Sequence, residues 1–160
     1  MKSFSVCYRF SQHFDFPARV AYNWCTDYDA GDLRLAGEKG KRSIRRLNED
    51  TIILTDTYFT RKGKAVKKRL VKLYPKQLSW TNTRISTEAR HSQFLYQISP
   101  EHGGSRLVFT GSQMVAGKGT ASRRVALRRK IAGEDSAMWR ILAKAMAKDL
   151  ATEHGQRRRG

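Results

Sequence analysis

Seven runs of alternating apolar and polar residues, followed by one amphipathic segment, constrain the fold of this 160-residue chain more than any other feature. The first run is "FSVCYRFSQHFDF" at residues 4–16, and six further runs lie between residues 41 and 115. Alternation with a period of two is typical of strands that are buried on one face. The connections between the later runs are of hairpin length, which favours antiparallel pairing. The sequence therefore predicts an antiparallel sheet of six to seven strands.

Helical segments precede and follow the six later runs. Pro17 begins "PARVAYNWCTD", where proline at the first helical position favours a short helix, and a second short helix is expected in "DYDAGDLRLAG". Val20 and Trp24 are expected to form the buried stripe of the first of these helices. Residues 136–151 predict a long amphipathic helix. Separation of strands from helices along the chain indicates the α+β class. The apolar stripe of the long helix contains Met138, Trp139, Leu142, Ala145, Met146 and Leu150.

The net charge is unusually high, because 32 Lys and Arg residues outnumber 14 Asp and Glu residues and give +18. Basic residues concentrate at 61–76 and 123–130. Such a surface attracts polyanions, either nucleic acid or an anionic membrane, without selecting between them. The strands at 61–76 carry no paired aromatic residues of the kind on which single-stranded nucleic acid stacks. Polyanion binding through these two stretches is therefore kept as an alternative to a simply solvated surface.

The two cysteines, Cys7 and Cys25, are too few for a disulfide framework and lack metal-ligand spacing. They are interpreted as free packing thiols in a reducing compartment. The N-terminal residues contain no apolar core of a signal peptide, and a cytoplasmic location is expected. Composition predicts one domain at residues 1–154, with residues 155–160 as a basic flexible tail.

Neither glycine-rich stretch fits a phosphate-binding loop. A strand pattern follows Gly103 and Gly104, whereas a phosphate loop leads into a helix, so these glycines predict a hairpin. In "GSQMVAGKGT", five residues separate Gly111 from Gly117, and Gly119 stands where the magnesium-binding hydroxyl belongs. The order of acids in "DYDAGD" does not match a calcium loop and favours capping and turns. No metal site and no cofactor are predicted.

Three segments, in this order, carry a family resemblance. "FDFPARVAYNWCTD" is similar to a strand that ends in a small-Pro-Ala turn, and "LYPKQLSW" to a strand that ends in Leu-x-Pro. "FLYQISPEHGGSRLVF" is similar to a strand, proline and Gly-Gly hairpin unit. Over residues 3–153 the chain resembles the SRPBCC or START-like superfamily, which includes polyketide cyclases, lipid-transfer START domains and the birch-pollen-allergen group.

The resemblance implies a helix-grip fold. In this fold a curved antiparallel sheet of six to seven strands wraps around the long C-terminal helix, and two short helices follow the first strand. The enclosed cavity takes a hydrophobic ligand. The superfamily has no universal catalytic motif, so no catalytic residue is assigned.

Alternation along the strands and the helical stripe assigns side chains to the inside of that fold. The alternative is that they only fill a core, because a core at normal packing density leaves no room for a ligand. The predicted ligand-binding residues are Phe10, Phe14, Tyr58, Arg69, Trp80, Phe94, Tyr96, Leu107, Phe109, Met138, Trp139 and Leu142.

The strands at 51–74 have apolar residues on both parities, which leaves two alternatives for their inward face. If the even residues point inward, Asp56 lies near Lys68 and Lys72. If the odd residues point inward, Arg69 is inside. A buried charge needs a partner in either case. We therefore hypothesise an amphipathic ligand whose acidic end meets one of these cations.

These features favour a protein that holds a small hydrophobic or amphipathic ligand, lipid-like or polyketide-like, as a carrier or sensor. A polyketide cyclase or aromatase of the same fold is the first alternative, because an enclosed pocket can also orient a reactive chain. Binding of nucleic acid or an anionic membrane through the basic surface is the second.

Overall fold

The computed structural model describes residues 2–87 and 89–158, and its side chains are described as far as Thr152. Strand β1 (Ser3–Phe14) is followed by helices α1 (Ala18–Thr26) and α2 (Asp32–Leu35). Helix α3 (Ala121–Arg158) comes last. Between them lie β2 (Gly40–Asn48), β3 (Thr51–Thr60), β4 (Gly63–Tyr74), β5 (Ser79–Arg84), β6 (Gln93–Glu101) and β7 (Gly104–Ala116), with one 3₁₀ turn at Pro75–Gln77.

The seven strands form one curved sheet in the order β1-β7-β6-β5-β4-β3-β2. Every neighbouring pair is antiparallel. All connections from β2 to β7 join neighbours in the sheet, whereas β1 pairs with β7 at the far end of the order. The predicted α+β architecture is confirmed, including the two short helices after the first strand and the long final helix.

Two glycines turn the chain between β6 and β7. Gly103 has φ 76° and Gly104 has φ 151°, a backbone region that favours glycine. A Cβ atom on Gly104 would also lie 2.0 Å from the carbonyl oxygen of Phe14, so no side chain fits there. The hairpin prediction is confirmed.

The concave face of the sheet carries an aromatic cluster that helix α3 covers. The rings of Trp80 and Tyr96 stack in parallel at 4.7 Å between centroids. Trp139 of α3 lies 5.8 Å from Tyr96 and 6.5 Å from Trp80. Phe14 and Phe109 extend the cluster on β1 and β7, at 6.3 Å from Trp139 and 5.1 Å from Tyr96. Burying a large apolar side chain contributes about 1.5–3 kcal/mol, so this cluster is a main source of stability.

Helix α1 buries a different face from the predicted one. Val20 is 37% exposed, which makes the predicted stripe wrong at that position. The buried residues are Ala18, Ala21, Tyr22 and Thr26, and the two small alanine side chains let the helix backbone lie close to the sheet. Trp24 is partly buried, and its Nε1 donates a hydrogen bond to the Asp149 carboxylate at 3.1 Å.

The cysteines are unpaired, but only one is a packing residue. Cys7 is exposed on the outer face of β1, so its predicted packing role is wrong. Cys25 is partly exposed in α1, and burial raises the pKa of its thiol.

Helix α3 begins at Ala121, before the predicted amphipathic segment, and ends at Arg158, within the predicted tail. Residues 159–160 of that tail lie outside the described residues. Within the described ranges, none of the helices combines the length and apolar character that a membrane span requires. The domain boundary at residue 154 and the cytoplasmic location stay predictions.

Candidate functional site

The register between β3 and β4 determines which charges lie inside. Asp56 lies directly opposite Lys67, so even residues of β3 share the inner face with odd residues of β4. Arg69 is therefore inside, next to Asp56. Lys68 and Lys72 point to the outer face, and the predicted proximity of Asp56 to them is wrong. The two strands have opposite parity, an arrangement that neither sequence alternative included.

Asp56 is fully buried and is the centre of a charge network. Arg42 donates to both of its oxygens, from Nε at 2.7 Å and from Nη2 at 3.0 Å. Arg69 also donates to it, and the Tyr58 hydroxyl lies 3.4 Å away. Burial raises the pKa of Asp56, but the hydrogen bonds and charges of the two arginines outweigh it and hold that pKa below its ordinary value. Arg42 also bonds Asp32 of α2, at 2.8 Å.

A second polar contact joins β1 to helix α3. The Tyr8 hydroxyl donates a hydrogen bond to the Asp135 carboxylate. Burial raises the pKa of both groups, and the bonded carboxylate raises that of Tyr8 further. The charges of Arg84 and Lys67 partly oppose the rise in the pKa of Asp135. We call the eight residues Tyr8, Arg42, Asp56, Tyr58, Lys67, Arg69, Arg84 and Asp135 the inner polar cluster.

Three cations of the inner polar cluster are incompletely paired. Arg69 on β4 and Arg84 on β5 lie directly opposite each other. The Nε atom of each is buried without a hydrogen-bond partner among the described residues. The Lys67 ammonium lies 4.7 Å from the centroid of the Tyr58 ring. Burial and neighbouring cations lower the pKa of both Lys67 and Arg84.

All twelve predicted ligand-binding residues lie on the inner side of the fold. Tyr58 and Arg69 belong to the inner polar cluster. Phe10 is half-buried and stacks on Phe109 at 4.6 Å, and Phe94 lies 5.7 Å from the same ring. Leu107 is fully buried. The rest pack in the aromatic cluster or against it: Phe14, Trp80, Tyr96, Met138, Trp139 and Leu142.

Sequence reasoning missed most of the inner polar cluster. The inward position of Arg84 could have been predicted, because Arg84 lies on the same face of its strand as Trp80 and Asn82. Tyr8 lies on the predicted inner face of the first strand but was not assigned to the site. Arg42 had no such signal, since "KRSIRRL" is basic on both parities.

One surface depression lies elsewhere and contains none of the predicted residues. It is an open hollow where β1, α1 and the β6–β7 hairpin meet. Close to it, His13 bonds Glu101 and lies 3.0 Å from Asp15. The lining residues are Asp15, Pro17, Ala18, Arg19, Leu78, Pro100, Gly103 and Gly104.

The two basic stretches differ in what their side chains do. Lys68 and Lys72 face outward on β4. Arg123 and Arg124 instead donate to backbone carbonyls of the β7–α3 connection and β1. Their guanidinium carbons lie 5.2 and 4.7 Å from the centroid of the Phe4 ring. Part of the 123–130 stretch is therefore structural.

The acids of "DYDAGD" form local turn contacts. Asp29 accepts a hydrogen bond from the Gly31 amide at 2.6 Å, and Asp32 accepts one from the Asp29 amide at 2.9 Å. Across residues 2–87 and 89–152, no three His, Cys, Asp or Glu side chains converge as they would around a metal ion.

No protein-family model matches the sequence, and no curated protein is significantly similar to it. Solved structures match over most of the chain. The di-domain aromatase/cyclase StfQ from the steffimycin biosynthetic pathway superposes with TM-score 0.74 at 14% identity, over 93% of this chain and 52% of StfQ. This chain thus spans about half the length of StfQ.

Two further solved structures match this chain over nearly the whole length of both proteins. The Zhui aromatase/cyclase from Streptomyces sp. R1128 has TM-score 0.70 at 11% identity, over 93% of this chain and 96% of Zhui. SA2116 of Staphylococcus aureus, a protein of unknown function, has TM-score 0.76 at 12% identity, over 94% and 98%. At such identities the comparisons establish the fold alone. With its curved seven-stranded sheet and long terminal helix, the chain has the helix-grip fold of these solved structures, as the resemblance in the sequence implies.

Proposed function

We propose that the protein binds a small amphipathic ligand, lipid-like or polyketide-like, between the concave face of the sheet and helix α3, as a carrier or sensor. The observation that carries this proposal is the composition of the concave face. The aromatic cluster and the inner polar cluster lie side by side on it, so the interior is apolar at one part and charged at the other. Small-molecule sites typically combine apolar walls with a few convergent polar groups.

The energetics of the interior support a ligand rather than a purely structural role. Aromatic surface at Phe10 and Phe94 lies at the edge of the packed cluster, where a hydrocarbon chain or ring gains by leaving water. A buried donor without a partner costs free energy, and a ligand that supplies an acceptor removes this cost.

Native mass spectrometry of freshly purified protein tests this proposal. A ligand carried through purification adds a discrete mass to the 18.3 kDa chain under native conditions, and the addition disappears under denaturing conditions. A parallel titration with a neutral, environment-sensitive dye measures the apolar site directly. A bare chain mass together with no dye binding contradicts the proposal.

An enzyme of cyclase or aromatase type is the second candidate, and the Tyr8–Asp135 pair favours it. A hydroxyl bonded to a carboxylate inside the fold is a candidate for moving protons on a bound chain. Among the matched solved structures, StfQ and Zhui are both aromatase/cyclases by name. The test is product analysis after incubation with a reactive polyketide-like chain. Turnover that is lost in Tyr8→Phe favours the enzyme, whereas unchanged ligand recovered from the protein favours the carrier.

Polyanion binding is the third candidate, through the outward Lys68 and Lys72 and the exposed part of residues 123–130. The test is the salt dependence of affinity for a DNA duplex or an anionic vesicle. A binder of this type loses affinity log-linearly with salt concentration. Binding of a neutral ligand inside the fold is expected to change little over the same range.

A further inference from the structure

The opposed pair Arg69 and Arg84 is unusual for the interior of a sheet. The two residues are direct cross-strand partners on β4 and β5, and like charges in that position repel each other. Their Nε atoms are both buried without a hydrogen-bond partner among the described residues. The Oδ1 atom of the neighbouring Asn82 is also buried without a hydrogen-bond partner among the described residues. Three buried polar groups with unused hydrogen-bonding capacity thus lie on one inner face.

The surrounding acids neutralise Arg69 only in part and do not pair with Arg84. Asp56 bonds Arg42 and Arg69, and Asp135 bonds Tyr8. No carboxylate among the described residues lies within ion-pair distance of Arg84 or Lys67. Arg69 therefore shares its only carboxylate with Arg42, and Arg84 has no carboxylate partner among the described residues.

We propose that Arg69, Arg84 and Lys67 form the binding site for the carboxylate of an amphipathic ligand. This inference rests on the proposed ligand-binding function and specifies the chemical class of the ligand. A guanidinium offers a planar fork of donors that matches a carboxylate, and two opposed forks hold one between them. Burying a dianionic phosphate costs more desolvation free energy than burying a singly charged carboxylate, which favours the carboxylate.

A bound carboxylate also removes two unfavourable contributions to the free energy: the repulsion between Arg69 and Arg84, and the burial of their Nε donors without partners. It lies between the opposed arginines, so their repulsion becomes attraction to a shared partner. It accepts hydrogen bonds from donors that are otherwise unused. The aromatic rings on the same concave face then contact the apolar remainder of the ligand.

The main comparison uses two probes that differ only in the polar end, decanoate and decan-1-ol, on wild-type protein and three variants. Arg84→Met removes the cation that has no protein partner at its Nε, and Lys68→Met is the matched control because Lys68 points outward. Affinities are measured at neutral pH by displacement of a neutral dye. Wild-type protein is expected to bind decanoate more tightly than decan-1-ol. Dodecyl phosphate and dodecanoate serve as a second pair of probes with equal alkyl chains, and the phosphate is expected to bind more weakly than dodecanoate.

Arg84→Met is expected to weaken decanoate binding by about 10- to 100-fold, the effect of losing a hydrogen bond to a charged group. Its affinity for decan-1-ol is expected to stay within about twofold of wild type. Arg84→Lys, which keeps the charge but loses the fork, is expected to retain part of the decanoate affinity. Lys68→Met is expected to leave both affinities unchanged.

Stability of the ligand-free protein gives a second readout. A site residue held against repulsion destabilises the empty protein, so Arg84→Met is expected to raise the melting temperature. A structural arginine would lower it when removed.

The two proposals fail in different ways. Equal binding of decanoate and decan-1-ol by wild-type protein, or equal losses in Arg84→Met and Lys68→Met, overturns the carboxylate site and leaves the ligand-binding function standing. Preference for dodecyl phosphate overturns the carboxylate assignment alone. Failure of wild-type protein to bind any probe or the dye overturns the ligand-binding function and this inference with it.

Discussion

Arg42 and Asp56 are direct cross-strand partners on β2 and β3 and form a two-point ion pair inside the fold. Only 8% of the Arg42 side chain and none of Asp56 is exposed to solvent. The buried Asp56 carboxylate stays ionised because two arginines form ion pairs with it. Its negative charge in turn offsets the cost of burying the two guanidinium groups. The pair therefore links the edge of the sheet to the polar part of the interior.

Replacing Asp56 with alanine is expected to destabilise the protein by about 3–5 kcal/mol, because two buried cations lose their common partner. Urea denaturation followed by circular dichroism measures the change. Glu49→Ala is the control, because Glu49 is exposed in the β2–β3 turn. It is expected to change the free energy of unfolding by less than about 0.5 kcal/mol. Equal effects of the two substitutions would contradict the network described above.

The same pair predicts how stability depends on pH. The pKa of Asp56 is held below its ordinary value of 3.8, so its contribution is present above that value and is lost as the pH falls through the folded pKa. The difference in unfolding free energy between wild type and Asp56→Ala is therefore expected to be constant near neutrality and to shrink below about pH 4. Denaturation curves across this range measure it. A gap that grows on acidification would show that Asp56 is protonated in the folded state.

Trp139 anchors helix α3 to the aromatic cluster, so Trp139→Ala is expected to cost about 3–5 kcal/mol of unfolding free energy. Ile141, two residues further along the helix, is 48% exposed. Ile141→Ala is therefore expected to cost far less. Thermal denaturation of both variants without ligand makes the comparison. Similar losses of unfolding free energy in the two variants would mean that Trp139 contributes no more than an exposed residue to the packing of α3 on the sheet.

Gly104 and Gly133 make a matched pair of glycines. Gly104→Ala is expected to destabilise the protein by more than about 1 kcal/mol, because its φ is strained for alanine and its Cβ would strike the Phe14 carbonyl. Gly133 lies within helix α3 with no atom near its Cβ position, so Gly133→Ala is expected to stabilise by about 0.5–1 kcal/mol. Denaturant unfolding of the two variants gives both signs in one assay.

His13 is expected to titrate above its ordinary pKa of 6.5. The hydrogen bond to Glu101 is the main cause and Asp15 adds to it, while desolvation opposes the shift. Stability from this contact is present below pH 6.5 and is lost as the pH rises through the folded pKa. Imidazole resonances followed by NMR are expected to titrate closer to 6.5 in Glu101→Gln and to move less in Asp15→Asn. A larger move in the Asp15 variant would reverse the assignment.

The strands with one apolar parity were predicted correctly from the sequence. In β1, aromatic residues at even positions alternate with polar ones, and Tyr8 and Phe14 are buried as expected. The β6–β7 hairpin followed from its glycines and flanking alternation. These features depend on neighbours along the chain, which the sequence displays directly.

The inner faces of β3 and β4 could not be predicted in the same way. Both strands are apolar or basic on both parities, so only the pairing of Asp56 with Lys67 decides which residues point inward. That pairing joins residues from different strands and depends on the turn between them. Arg42 was missed for the same reason, because its role exists only through a partner on another strand. Val20 was wrongly placed because small residues allowed α1 to pack through its alanine face.

The two-residue turn at Arg61–Lys62 has a consequence for how such an interior can evolve. Strand β4 carries basic side chains at both even and odd positions, so either face of the strand can present cations to the concave side of the sheet. A slip of one position against β3 would bring Lys68 and Lys72 to the concave side and expel Arg69. A change in turn length could thus exchange an arginine lining for a lysine lining without altering a single residue of either strand.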